Sequence, residues 1–265
     1  MKRMRTEELK LVFALQDAVD STTGMFGTNE IGFHSRKGVI SPFDAINILV
    51  DGMQEFGIEA TFVENGRHVS AASVVKRIKK KGAWGHVETS ELSFQYGVAA
   101  SGDHCFIIIQ EKIANAAGDW GRWVVPFAAL SGFVQAWIVD VEYNYWQNVK
   151  DPLEYEVANR DFSGLPMKSN GLPAPLDQLE VDTSKNPGRW ILRAGYVEAI
   201  GATMWLSDLF WMKVGGEKKS RITSSGFIEV RDLENGVMEI QVQGGCFVSV
   251  ETSDLQNRLR EILYE

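Results

Sequence analysis

The sequence is poor in the residues that build metal sites and nucleophilic active sites. It has two cysteines and four histidines, and none of them stands in a paired ligand pattern such as H-E-x-x-H or C-x-x-C. His104 and Cys105 are neighbours on a predicted strand, where adjacent side chains point to opposite faces, so they cannot form a nucleophilic pair with each other. The chain also lacks a G-x-S-x-G elbow and the spacing of a phosphate-binding loop. We therefore expect no bound metal, no cofactor and no catalytic residues.

Long apolar runs are also missing. No stretch approaches the length of about 18 apolar residues that a membrane-spanning helix needs. Residues 1–16 begin basic, but Lys10 and Gln16 interrupt their apolar part, which differs from the continuous apolar core of a signal peptide. Cys105 and Cys246 lie in apolar, strand-like runs and fit buried free thiols, although the sequence leaves a disulfide between them open. We therefore expect a cytoplasmic protein that does not contact a membrane.

The charge balance is acidic. Lysine and arginine number 27 against 35 aspartates and glutamates, which gives a formal net charge of -8. Nucleic-acid binding needs a basic surface that neutralises phosphates, so this balance argues against direct binding to nucleic acid. A basic protein partner fits the charge better.

The hydrophobic fraction of 45% predicts a sizeable core, and the pattern along the chain mixes strands and helices. Period-two alternation predicts strands at 9–15 and 134–146, and further strands are predicted at 58–63, 86–98 and 104–110, the last apolar on both faces and so expected in the middle of a covered sheet. A hairpin is predicted through Asn235-Gly236. Helices are predicted at 42–56, where Ser41 and Pro42 form the start signal, at 70–81, around 123–130, and at the C-terminal end behind a Ser253/Gln256 capping box. Gly215-Gly216 and the glycine-rich stretch 17–38 are predicted to be loops, the latter mobile.

Helices and strands do not alternate regularly, so we predict an α+β fold with a largely antiparallel or mixed sheet packed by helices. Residues 151–185 carry four prolines and are predicted to be an extended surface connection that joins two halves. The chain is therefore expected to form a single unit over residues 1–265, with a possible subdivision at this connection.

Five residues are candidates for binding a partner. In the predicted strand 134–146, Asp140 and Glu142 lie opposite an aromatic face and should reach solvent or a partner. Asp182, Asn186 and Arg189 belong to a polar Pro-Gly turn, and turns on a rigid scaffold are common contact points. For Arg189 the structural alternative is an ion pair with Asp182 across the turn.

Two further features of the same region have alternative interpretations. Trp190, Trp205 and Trp211 mark either a core or a partner surface, and core packing is the more common role. The proline-rich connection also carries carboxylates from which an acid-base or metal site could be built, which would make the protein a small-molecule enzyme with a site near residues 154–189. Scattered carboxylates on a surface loop of an acidic protein are more often solvated.

One run of residues resembles a known family. It comprises Trp146-Gln147, Asp151-Pro152, Tyr155-Glu156, Leu165-Pro166, Gly171-Leu-Pro-x-Pro175, Val181-Asp-Thr-Ser, Asn186-Pro-Gly-Arg189, Gly195-Tyr-x-Glu198, Met204-Trp-Leu206 and Phe210-Trp211. This run resembles bacterial immunity proteins of polymorphic-toxin and type VI secretion systems, in the group paired with restriction-endonuclease-like nuclease toxins. The resemblance implies a cytoplasmic α+β protein that binds and silences a cognate nuclease toxin and has no catalysis of its own. It covers mainly residues 134–211 and supplies no catalytic or toxin-contact residues.

Overall fold

The computed structural model describes residues 4–16 and 38–265. The helices of these residues are α1 (Pro42–Glu55), α2 (Ala71–Lys81), α3 (Trp120–Ala128), α4 (Val141–Asn148), α5 (Pro152–Val157), α6 (Asp208–Val214), α7 (Gly216–Thr223) and α8 (Ser253–Tyr264). Their strands are β1 (Glu7–Ala14), β2 (Thr61–Glu64), β3 (Arg67–Ser70), β4 (His86–Glu88), β5 (Leu92–Ala99), β6 (His104–Glu111), β7 (Phe133–Asp140), β8 (Met167–Ser169), β9 (Leu179–Val181), β10 (Ile191–Arg193), β11 (Tyr196–Glu198), β12 (Thr203–Leu206), β13 (Glu229–Asp232) and β14 (Met238–Gln241).

The predicted α+β class is confirmed. Eight strands form one antiparallel sheet in the order β13-β14-β12-β7-β1-β6-β5-β4, and β2-β3, β8-β9 and β10-β11 form separate hairpins. The central strands β12 and β7 come from opposite sides of the proline-rich connection and pair with each other. The two halves of the chain therefore share one sheet.

Both faces of the sheet are covered by helices. Leu9, Leu11 and Phe13 of β1 point to one face, where they pack in a core with apolar side chains of α1, α2 and α3. Val12 points to the other face and belongs to a second core with side chains of α6, α7 and α8. The period of two along β1 thus places successive side chains in different cores.

Local signals account for the first two helices. The Ser41 hydroxyl accepts a hydrogen bond from the backbone N–H of Asp44 at 3.0 Å and so caps α1 as predicted. Gly82 ends α2 in the left-handed conformation, with φ of 67°, which a residue with a side chain rarely adopts. The hairpin through Asn235-Gly236 is also confirmed, as β13 and β14.

Several predicted boundaries were wrong. The strand predicted at 86–98 is two strands, β4 and β5, separated by a turn in which the Thr89 hydroxyl accepts from the N–H groups of Glu91 and Leu92. The pair Gly215-Gly216 does not begin a loop, since α7 starts at Gly216. The stretch 17–38 lies almost wholly outside the described residues.

The final helix has a different start from the predicted one. Thr252 is its N-cap, without a side-chain cap bond, and Gln256 is buried, where it donates to the hydroxyls of Thr252 and Tyr143 at 2.9 Å each. Burial of Gln256 against α4 replaces the capping box. Cys246 lies in a loop and not in a strand, and both cysteines are free thiols.

The largest correction concerns residues 134–146, which are not one long strand. Strand β7 ends at Asp140, whose carboxylate accepts a hydrogen bond from the N–H of Tyr143 at 2.7 Å and caps α4. Period-two alternation favours a strand, but after Asp140 the N-cap bond and the packing of α4 outweigh that local pattern.

Candidate functional site

Asp140 is buried at the junction of β7 and α4, so the prediction that it reaches solvent was wrong. Only 1% of its surface is exposed. Its carboxylate pairs with the guanidinium of Arg5 at 3.0 Å in addition to capping α4. Both bonds hold the start of the helix, so Asp140 is a structural residue here, whereas Glu142 in the first turn of α4 is exposed.

A groove of about 580 Å³ lies over this junction. Its lining includes Arg5, Asp140, Glu142, Tyr145, Trp146 and Arg160. The groove therefore brings the two predicted carboxylates together with two arginines. Arg5 and Arg160 were missed by sequence reasoning, because they reach the groove from the segment before β1 and from the segment after α5, which do not adjoin α4 in the sequence.

The predicted turn at 182–189 packs against the other end of α4. The Asn186 amide donates to the carbonyl oxygen of Gln147 at 2.9 Å, and the Gln147 side chain accepts from the N–H of Gly188 at 2.9 Å. A Cβ at Gly188 would lie 2.7 Å from Cγ of Gln147, so only glycine fits this approach. The N–H of Trp190 then donates to the Asn148 side chain at 2.9 Å. The side-chain amide of Asn186 therefore forms its hydrogen bond within the protein.

A buried arginine completes the attachment of this turn. Arg260 of α8 is 3% exposed and donates hydrogen bonds to the carbonyl oxygens of Pro187 and Arg189. Among the described residues it has no carboxylate partner, and its Nε makes no hydrogen bond. Burial and then repulsion from Arg189 lower the pKa of Arg260 to about 10. Burying a cation without a carboxylate in ion-pair contact costs free energy, which the more distant Glu198 and Glu265 carboxylates offset only in part, so this turn is held at a cost in stability.

The ion pair considered for Arg189 and Asp182 does not form. Asp182 pairs with Lys168 at 3.0 Å, and the Arg189 guanidinium donates to the carbonyl oxygen of Asn186 at 2.9 Å. A hydrogen bond from the N–H of Ser184 and the nearby Lys168 ammonium lower the pKa of Asp182 to about 2. Asp182 is therefore ionised near neutral pH and is a poor general acid.

The proline-rich connection leads into this turn, and residues 151–192 are called the arm below. The arm is attached to α4 by packed aromatic rings. The ring centroids of Trp146 and Tyr155 are 5.0 Å apart, and those of Tyr155 and Phe162 are 5.8 Å apart. The guanidinium of Arg160 stacks over Trp146 at 4.3 Å. Tyr155 is almost fully buried, so the base of the arm is part of the packed protein.

The rest of the arm exposes apolar side chains. It contains nine of the eighteen large apolar residues that are exposed among the described residues. The nine are Leu153, Val157, Leu165, Met167, Leu172, Leu176, Leu179, Trp190 and Leu192. Exposed apolar side chains concentrated on one segment, unlike single ones scattered over a surface, are typical of a protein-protein interaction site. Of the three tryptophans that were candidates for core or surface, Trp205 and Trp211 are core residues and Trp190 is 40% exposed.

The arm is also acidic, with seven carboxylates against four lysines and arginines. Glu154, Glu156, Asp161 and Asp177 are exposed, and they do not converge on a buried site. Within the described ranges 4–16 and 38–265, no group of three or more histidine, cysteine or carboxylate side chains is arranged to hold a metal ion. No helix in that part of the chain is long and apolar enough to cross a membrane.

Comparison of the chain with protein-family models, with curated proteins and with solved structures finds no match. The resemblance to immunity proteins therefore stays a prediction.

Proposed function

We propose that this protein is a cytoplasmic immunity protein of a bacterial polymorphic-toxin or type VI secretion system. It binds a cognate antibacterial effector, a basic nuclease-like toxin, and neutralises it by occupying its surface. The observation that carries the proposal is the arm, where half of the exposed large apolar side chains of the described residues lie on one segment. That segment is fixed to the core by the Trp146-Tyr155-Phe162 packing.

The negative charge of the protein supports a basic partner. The arm has an excess of carboxylates and the whole chain carries a formal net charge of -8. Complementary charge accelerates encounter with a basic protein and disfavours wrong partners. A toxin that binds nucleic acid needs a basic surface, so its positive charge would be complementary to the negative charge of the arm.

The second candidate is a small-molecule enzyme with a carboxylate-lined site near residues 154–189. The groove over α4 favours it, since a volume of about 580 Å³ lies within the usual range of ligand sites. Of the residues in that range, however, the groove is lined by Ala158 and Arg160, neither of which is a carboxylate.

The test of the proposal is co-expression with the open reading frame next to this gene. We expect the neighbour alone to kill cells, this chain to restore their growth, and the two proteins to purify together. A chain that restores growth without forming a complex would favour the enzyme. A neighbour that is harmless by itself, or that kills cells equally in the presence of this chain, would contradict the immunity function.

A further inference from the structure

The loop that joins β8 and β9 spans residues 170–178, and together with Leu179, the first residue of β9, it is called the apex loop here. It exposes three leucines within ten residues: Leu172 is 51%, Leu176 61% and Leu179 65% exposed. Covering solvated leucines with a partner lowers the free energy of the system. Single exposed apolar residues scattered over a surface do not indicate a binding site, whereas a group of them does.

The Asn170 side chain bridges the two sides of the apex loop. The Asn170 amide donates to the carbonyl oxygen of Leu176 at 2.9 Å, and its carbonyl oxygen accepts from the N–H groups of Leu172 at 3.1 Å and Gln178 at 3.2 Å. The backbone N–H of Asn170 also donates to the carbonyl oxygen of Gln178 at 2.9 Å. Because the loop is already ordered, its leucines lose little conformational entropy when a partner binds.

The base of the hairpin is held as firmly. The N–H of Val181 donates to the carbonyl oxygen of Lys150, and that of Asp182 to the carbonyl oxygen of Pro166, at 2.8 Å each. The Lys168 ammonium of β8 forms an ion pair at 3.0 Å with Asp182, which directly follows β9, and so links the two strands. The apex loop is therefore presented on a fixed support and not on a free tail.

A charge next to the leucines indicates what covers them. Asp177 lies in the apex loop, is exposed and has no ion pair among the described residues, and the arm as a whole has seven carboxylates against four lysines and arginines. A second copy of this chain would bring carboxylates of the same sign against them, which costs free energy. A protein with lysines or arginines around an apolar cleft would satisfy both the charges and the leucines.

We propose that the apex loop is the contact centre of the complex: Leu172, Leu176 and Leu179 enter an apolar cleft of the toxin whose rim is basic. Asn170 is a positioning residue that fixes the leucines before binding. This inference rests on the proposed function, since the occupant of the loop is the toxin that the chain neutralises.

The test compares two double variants in binding to the effector identified by the growth experiment, prepared in catalytically inactive form. Leu172→Ser with Leu176→Ser should raise the Kd by about 30-fold or more, the change expected on truncating one hot-spot side chain. Met212→Ser with Ile113→Ser removes two exposed apolar side chains outside the arm and should leave the Kd unchanged. All four substituted residues are exposed, so circular dichroism and the Tm should remain those of the parent.

A third variant, Asn170→Ala, tests the positioning role. We expect faster amide exchange at Leu172 and Gln178 and a weaker complex, although all three leucines are still present. Unchanged exchange at these two amides would overturn that role.

The remaining outcomes separate this inference from the proposed function. A parent that binds the effector while the apex-loop variant binds equally well overturns the inference alone. Equal weakening by both double variants does the same. A parent that fails to bind the effector overturns the proposed function and the inference with it. Self-association of the parent that disappears in the apex-loop variant would assign the loop to a second copy of this chain and overturn the inference.

Discussion

Arg260 of the C-terminal helix α8 donates a hydrogen bond to the backbone carbonyl oxygen of Arg189 in the turn 182–189. The contact fixes the turn that precedes the exposed Trp190, and it keeps a guanidinium buried without a carboxylate partner among the described residues.

The first prediction follows from the cost of that burial. Arg260→Met fills a similar volume and removes the buried charge, which offsets the loss of the hydrogen bonds to the Pro187 and Arg189 carbonyl oxygens, so we expect a free energy of unfolding within ~1–2 kcal/mol of the parent's. The turn should loosen at the same time, with faster amide exchange at Gly188 and Trp190. Denaturant unfolding and hydrogen exchange measure the two effects. A loss of more than ~2 kcal/mol would mean that the guanidinium stabilises the fold.

The second prediction distinguishes Asp140 from Glu142, which looked equivalent in the sequence. Asp140→Ala removes an N-cap and the partner of Arg5, so the free energy of unfolding should fall by ~2 kcal/mol or more. Glu142→Ala, at an exposed position two residues away, should change it by less than ~0.5 kcal/mol. Equal effects of the two substitutions in urea unfolding would contradict the structural role assigned to Asp140.

The parts of the fold that were predicted correctly have local causes. Ser41 and Pro42 start α1, and Asn235-Gly236 makes the hairpin of β13 and β14, because capping and turn chemistry lie within a few residues. The helix α4 was missed because its residues alternate as in a strand, although Asp140, which accepts from the N–H of Tyr143 three residues on, is a local N-cap signal of the same kind as Ser41.

The candidate site was less predictable than the fold. Asp182, Asn186 and Arg189 were placed correctly in one turn, but nothing in their spacing indicated that Arg260, about seventy residues further on, holds it. The groove combines Arg5 with Arg160 through strand pairing and helix packing, which are contacts between distant parts of the chain. The exposed leucines of the arm could have been noticed in the proline-rich sequence, but their exposure depends on what the core leaves uncovered.

The third prediction concerns pH and Asp182. Its pKa is lowered from 3.8 to about 2 in the folded protein, so the folded state favours the ionised form. The stabilisation is therefore fully present above pH ~4 and is lost as the pH falls toward 2. Asp182→Asn should be less stable than the parent at pH 5, and the difference should shrink toward pH 2. A difference that stays constant over this range, in urea unfolding at each pH, would contradict the assignment.

The fourth prediction concerns the rate of association with the effector. Glu156→Lys with Asp177→Lys reverses two exposed charges of the arm and should lower the association rate constant by about tenfold at low salt. The difference should diminish at high salt because surface charges are screened. Glu229→Lys with Glu234→Lys changes the net charge equally on the edge hairpin and is the control. Equal slowing by both pairs, in stopped-flow measurements, would show that only net charge matters.

The central claim is that this protein silences an effector by binding it, and titration of the effector's activity tests this most directly. Purified chain is added in increasing amounts to a fixed concentration of the active effector, at concentrations well above the Kd. The account predicts a linear loss of activity that reaches background near one equivalent of this chain. Complete inactivation by a small fraction of an equivalent, or no loss at several equivalents, would contradict it.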